Sequence, residues 1–87
     1  MYKIVYTKRA IKDIPKLKRA KLDPKAKNLI SIIKNNPFQK PPSYKKLKGD
    51  LQGAFSRRIN HQHRLVYQIL EEDKIIKIIS LWTHYEI

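Results

Sequence analysis

Arg58 and Arg64 flank the run Ile59-Asn60-His61-Gln62-His63, whose centre is made of turn residues. If Asn60-His61-Gln62 forms a three-residue hairpin loop, Ile59 faces His63 and the two arginines stand directly across a sheet from each other. Like charges so placed repel and weaken a sheet. A guanidinium fork matches phosphate oxygens bidentately, so the pair reads as a phosphate clamp. A second reading has the arginines splayed into water or paired with Asp50 or Glu86, and spacing alone leaves both open. Lys45, Lys48 and His84 extend the cluster into a cationic site suited to a polyanion such as RNA. His61 and His63 form a His-x-His pair, but no third ligand accompanies them, so turn and core-edge roles are expected and no metal site is.

These side chains need a scaffold, and the chain spells one out. Tyr2 to Tyr6 alternate and are β-rich, which predicts a first strand. Thr7 then stands where a helix N-cap belongs, and Ile11, Ile14 and Leu17 follow at helical spacing, with a kink or late start expected at Pro15. Asp23-Pro24 predicts a second helix with Asp23 as its N-cap, and Ala26, Leu29, Ile30 and Ile33 mark its apolar seam to about Lys34. The proline-rich stretch Pro37 to Ser43 is a loop. Short strands are expected at Tyr44–Lys48, Ala54–Ile59, His63–Leu70 and Lys74–Trp82, the last two joined by a turn at Glu71-Glu72-Asp73. The order β-α-α-β-β-β describes one α+β domain over residues 1–87: an antiparallel sheet of four to five strands with two helices packed on one face. Strand parity puts Phe55, Ile59, Leu65, Tyr67 and Ile69 beneath the helices. Ser56, Arg58, Arg64, Val66 and Gln68 fall on the other face, with Arg64 opposite Ser80 and His84 directed the same way.

Twenty Lys and Arg stand against seven Asp and Glu, a net charge of +13. Such an excess favours nucleic acid, an anionic membrane surface or an acidic protein. The apolar seams of the basic helices are needed for the core, which argues against a membrane. The lysine-rich helical face, from Lys8 to Lys27, is either solvated or a grip on RNA phosphates. No cysteine is present, which rules out disulfides and cysteine-based zinc sites. No leader-like start is read at Met1, and a cytoplasmic location is expected.

The run Leu47-Lys48-Gly49-Asp50-Leu51-Gln52-Gly53-Ala54-Phe55-Ser56-Arg57-Arg58-Ile59-Asn60, then His63-Arg64-Leu65-Val66-Tyr67 and the closing His84-Tyr85, resembles the YoeB/Txe toxins of bacterial toxin–antitoxin modules, within the RelE/ParE superfamily. The resemblance is close from Pro37 onward and concerns layout only before it. Several linked motifs in order are far more specific than any one alone.

The resemblance implies a microbial-RNase-like fold and a ribosome-dependent messenger-RNA endonuclease that cuts in the ribosomal A site without metal or cofactor. It implies that Arg58 and Arg64 hold the scissile phosphate, that His84 moves protons, that Tyr85 positions RNA, and that Lys48 lines the site. Tyr44, Lys46, Arg57 and Trp82 are expected to contact RNA around that centre, although Trp82 could equally cover the sheet edge. One position departs from the pattern. Many YoeB-like toxins carry a general-base glutamate two residues before the leucine of Leu-Lys, and here that position is Lys45. A cation there can stabilise charge, and proton transfer then falls to His84. The implied partners are messenger RNA, the ribosome, and a YefM/Phd- or Axe-like antitoxin, with a homodimer or a toxin–antitoxin hetero-oligomer as the assembly. The rival from another class is a non-catalytic binder of the same fold, such as a ParE-like gyrase inhibitor or a ribosome-binding protein.

Overall fold

The computed structural model of the chain describes residues 1–48 and 53–84, His84 by its backbone alone. The elements run β1 (Lys3–Tyr6), α1 (Lys8–Arg19), α2 (Asp23–Asn35), β2 (Lys45–Lys46), β3 (Ala54–Arg58), β4 (His63–Leu70) and β5 (Ile75–His84). They form a five-stranded sheet in the order β1-β5-β4-β3-β2. The expected α+β architecture is present, with one refinement: β1 pairs with β5 in parallel, and the other pairs are antiparallel.

Thr7 caps α1 as its residue type suggests, its hydroxyl accepting from Ala10 N at 3.1 Å. The helix runs unbroken through Pro15, so the late start expected there does not occur. The seam of α1 also differs from the one read in sequence. Ala10, Asp13 and Leu17 are the buried residues, Ile14 is partly buried, and Ile11 is 56% exposed. The reason is Asp13, whose carboxylate turns inward to accept from Leu81 N at 2.9 Å. In α2, Leu22 rather than Asp23 occupies the cap. Asp23 is the first helical residue, where its charge still suits the helix N-terminus.

Ala26, Leu29 and Ile33 of α2 meet Phe55, Leu65, Tyr67, Ile76, Ile78 and Leu81 of the sheet in one apolar core. Each large aliphatic side chain buried there contributes about 1.5–3 kcal/mol relative to an exposed one. Phe55, Ile59, Leu65 and Tyr67 thus lie in the core, as strand parity requires.

Two features of the sheet depart from the simple alternation. The turn after β4 spans Glu71 to Lys74, with Leu70 opposite Ile75 and Lys74 in the left-handed region at φ 53°. Between Arg64 and Tyr67, β4 and β5 shift register twice. Arg64 therefore pairs with Thr83 and not with Ser80, which lies opposite Val66. Each shift inserts an extra residue into β5, and the inserted backbone groups need partners from outside the ladder. Asp13 supplies one of them at Leu81.

Candidate functional site

The three-residue loop Asn60-His61-Gln62 sets the geometry of the site. The Asn60 side-chain oxygen accepts from Gln62 N at 2.9 Å and His63 N at 2.8 Å, and Ile59 N donates to His63 O at 2.9 Å. With the loop fixed, Arg58 and Arg64 are cross-strand partners. Beside them runs a second row across the sheet: Lys45 opposite Ser56, Ser56 opposite Val66, and Val66 opposite Ser80. Paired residues of antiparallel strands share a face, so Lys45, Ser56, Arg58 and Arg64 come together on the face away from the helices.

They line a cleft of about 110 Å³ whose remaining wall is the loop segment Pro42, Ser43 and Tyr44. Among the described residues none of its lining is acidic. Arg64 is 9% exposed and donates from one terminal nitrogen to Ser56 Oγ at 2.6 Å, which aims the guanidinium along the cleft. Arg58 is exposed at the cleft's outer end. Three cationic side chains around one small opening suit an anion by charge, and the arginine forks match the geometry of paired oxygens. Ser80 and Thr83 hydroxyls bond each other beside Arg64, since the register shifts bring both to its face.

The loop wall is held from inside by Arg57. Sequence grouping placed Arg57 among the RNA-contacting cations; the structure corrects this, because the side chain is fully buried. Its Nε donates to the Tyr67 hydroxyl at 2.9 Å, and its terminal nitrogens donate to Pro42 O at 2.6 Å and Pro37 O at 3.0 Å. The guanidinium also lies 4.9 Å from the centre of the Tyr44 ring. Burial holds the Tyr67 hydroxyl above the usual tyrosine range, and Arg57 pulls it part of the way back. Parity carried the signal, since position 57 alternates with 58 and shares the core side with Phe55.

The other expected site residues are distributed as follows. Tyr44 lines the cleft and packs edge-on to Phe55 at 5.5 Å. Lys46 pairs with Phe55 and so leaves the cleft to Lys45. Lys48 is exposed. Trp82 stacks on His63 with ring centres 3.8 Å apart and neighbours Lys16 and Arg19 of α1, a packing position on the helix side. His61 is exposed, so the His-x-His pair is divided between solvent and core. The register pairs Thr83, and not His84, with Arg64, which corrects the expectation that His84 follows the Arg64 face. His84 ends β5 with its backbone opposite His63, while its side chain and the whole of Tyr85 lie outside the described residues, as do Asp50 and Glu86. Among the described residues no helix is long and apolar enough to cross a membrane.

Comparison with known proteins bears on the family and the fold. Residues 6–85 match the family model described as the YoeB-like toxin of bacterial type II toxin-antitoxin system. Toxin YoeB of Synechocystis sp. is 45% identical over 58 residues, which is 67% of this chain and 65% of that protein, just under two thirds of its length. Among solved structures, the YoeB/ParE toxin from Agrobacterium tumefaciens superposes with a TM-score of 0.85 at 33% identity, over 95% of this chain and 99% of that one. The toxin in the heterotetrameric YoeB-YefM complex from Staphylococcus aureus gives 0.80 at 34% identity, over 98% and 99% of the two chains. The cationic cleft on the open face of the sheet therefore sits on a fold and a sequence of one kind, and the chain belongs to the YoeB-like toxins of bacterial type II toxin–antitoxin systems.

Proposed function

We propose that the chain, acting as one toxin domain of 87 residues, is a ribosome-dependent messenger-RNA endonuclease that cuts in the ribosomal A site and stops translation. The observation that carries this reading is the convergence of Lys45, Arg58 and the Ser56-aimed Arg64 on one cleft. The ribose 2′-OH loses its proton and attacks the neighbouring phosphorus; the O2′–P bond forms as the P–O5′ bond breaks and O5′ takes up a proton. The products are a 2′,3′-cyclic phosphate and a 5′-OH end, and DNA, lacking the 2′-OH, is not cut by this route. Arg58 and Arg64 hold the phosphate and stabilise its added negative charge. Lys45 stands where many relatives have a glutamate base and serves as a third cation, so His84 carries the proton transfer and Tyr85 positions the RNA. No metal or cofactor takes part.

The S. aureus relative was solved with YefM. By analogy this chain has a YefM/Phd- or Axe-like antitoxin, whose acidic segment would neutralise the cleft in a hetero-oligomer; a toxin homodimer is the other assembly. Its place of action is the cytoplasmic ribosome. The test is cleavage of a defined message on translating ribosomes, mapped by primer extension, for the wild type and His84→Ala. Codon-linked cuts that disappear in His84→Ala are expected. A variant that cuts at the wild-type rate removes His84 from the chemistry. Intact message together with trapped DNA gyrase replaces the nuclease with the ParE-type reading.

A further inference from the structure

A second groove adjoins the cationic cleft. It is an open groove of about 330 Å³ between α2 and the end of β3, and it shares Arg58 and Pro42 with the cleft. That volume lies within the range of about 300–1,000 Å³ typical of small-ligand sites. Its floor is apolar, made by Leu29, Ile32 and Ile59. Lys25 and Asn28, both exposed on α2, form its rim with Arg58. Among the described residues no acidic side chain lines it.

We propose that this groove is a nucleotide subsite, receiving the base and phosphate next to the phosphate held in the cleft. Three features of the groove select this occupant. An aliphatic lining suits the face of an unstacked base. An amide at the rim offers both a donor and an acceptor to a base edge, which a purely apolar groove does not. Lys25 supplies a point charge for the next phosphate along the strand, and Arg58 belongs to both openings, so one continuous single strand can occupy them together. Asn28 is therefore a specificity-determining residue and Lys25 an affinity residue. Both lie on a helix surface, where substitution leaves the core untouched.

The proposal rests on the nuclease reading, and the experiment separates the two. Cleavage is mapped on translating ribosomes with messages in which the base beside the cut is varied through all four. Binding is measured in parallel with short 2′-O-methyl RNA, which cannot be cut, with a normal or an abasic nucleotide at that position. The expected results are a loss of about tenfold in binding for the abasic strand with the wild type, a flattened base preference in Asn28→Ala, and a shallower salt dependence of binding in Lys25→Ala. If the wild type cuts nothing but still distinguishes the abasic strand through Asn28, the nuclease reading falls and the subsite stands. If wild type, Asn28→Ala and Lys25→Ala bind both strands alike, the subsite is overturned, as it would be were the groove to receive a peptide.

Discussion

Arg58 and Arg64 are direct cross-strand partners, and Ser56 ties Arg64 to the sheet at 2.6 Å. One guanidinium is aimed by the scaffold and the other reaches in from the rim. Facing like charges destabilise a strand pair. Inorganic phosphate should therefore raise the Tm of the wild type at low ionic strength. Arg58→Gln should gain less from added phosphate than the wild type and lose most cleavage. Thermal melts at matched ionic strength give the comparison, and an equal phosphate response in both proteins would contradict the clamp.

Ser56 is buried and its hydroxyl accepts from the Arg64 fork. Ser56→Ala removes that anchor with little change in volume. A hydrogen bond to a charged group contributes about 1.5–3 kcal/mol. Cleavage in single-turnover assays should fall by roughly tenfold or more on this account, while Ser56→Thr should retain more activity than Ser56→Ala.

Lys45 separates two kinds of chemistry. If it stabilises charge, Lys45→Arg keeps the cation and should keep most of the cleavage rate, whereas Lys45→Ala should lose about 10²–10³-fold. Arginine cannot act as a base at ordinary pH. A lysine acting as the base would instead make Lys45→Arg as inactive as Lys45→Ala.

Arg57→Met keeps the length of the side chain and removes its donors to Tyr67, Pro42 and Pro37. Pro42 O then loses this donor and Pro37 O keeps the Tyr67 hydroxyl at 3.4 Å, and a buried polar group left unsatisfied costs about 1–3 kcal/mol. Denaturant melts should show a loss of several kcal/mol, and any folded fraction should bind RNA weakly because the loop wall is no longer held. Arg57→Lys, with a single ammonium, should recover only part of the loss.

The alkaline limb of stability should report Tyr67. Burial raises its pKa and Arg57 only partly offsets this. A folded pKa above the unfolded value of about 10 contributes stability that is complete below that value and fades as pH rises through the folded pKa. Tyr2, raised chiefly by its bond to Glu71, acts in the same direction. Denaturation of Tyr67→Phe across alkaline pH should show a smaller loss than the wild type. At neutral pH it should be about 1–2 kcal/mol less stable, since Arg57 Nε loses an acceptor.

What was legible in the sequence followed local rules. The Asn60-His61-Gln62 turn alone decided that Arg58 meets Arg64, and strand alternation then sorted the core from the cleft. What was not legible depended on partners far along the chain. The register shifts that move Arg64 from Ser80 to Thr83 are accompanied by the Asp13 carboxylate at Leu81, a contact across 68 residues that no periodicity announces. Asp13 takes an inward position on α1 that the apolar pattern does not announce, and Ile11 is exposed. Arg57 was misplaced because an Arg-Arg pair reads as surface charge, although alternation places neighbouring strand residues on opposite faces.

The Arg57 strap has a consequence for when the molecule becomes competent. One side chain spans from the Tyr67 hydroxyl in the core to the carbonyls of the loop that walls the cleft. The loop has its anchor only once β3 and β4 have paired and the core around Tyr67 has closed. A nascent or partly unfolded chain carries every cation of the cleft but lacks its contour, so the potential to bind an anion precedes the ability to shape it. The shape of the cleft thus depends on the core being assembled and not only on its residues being present.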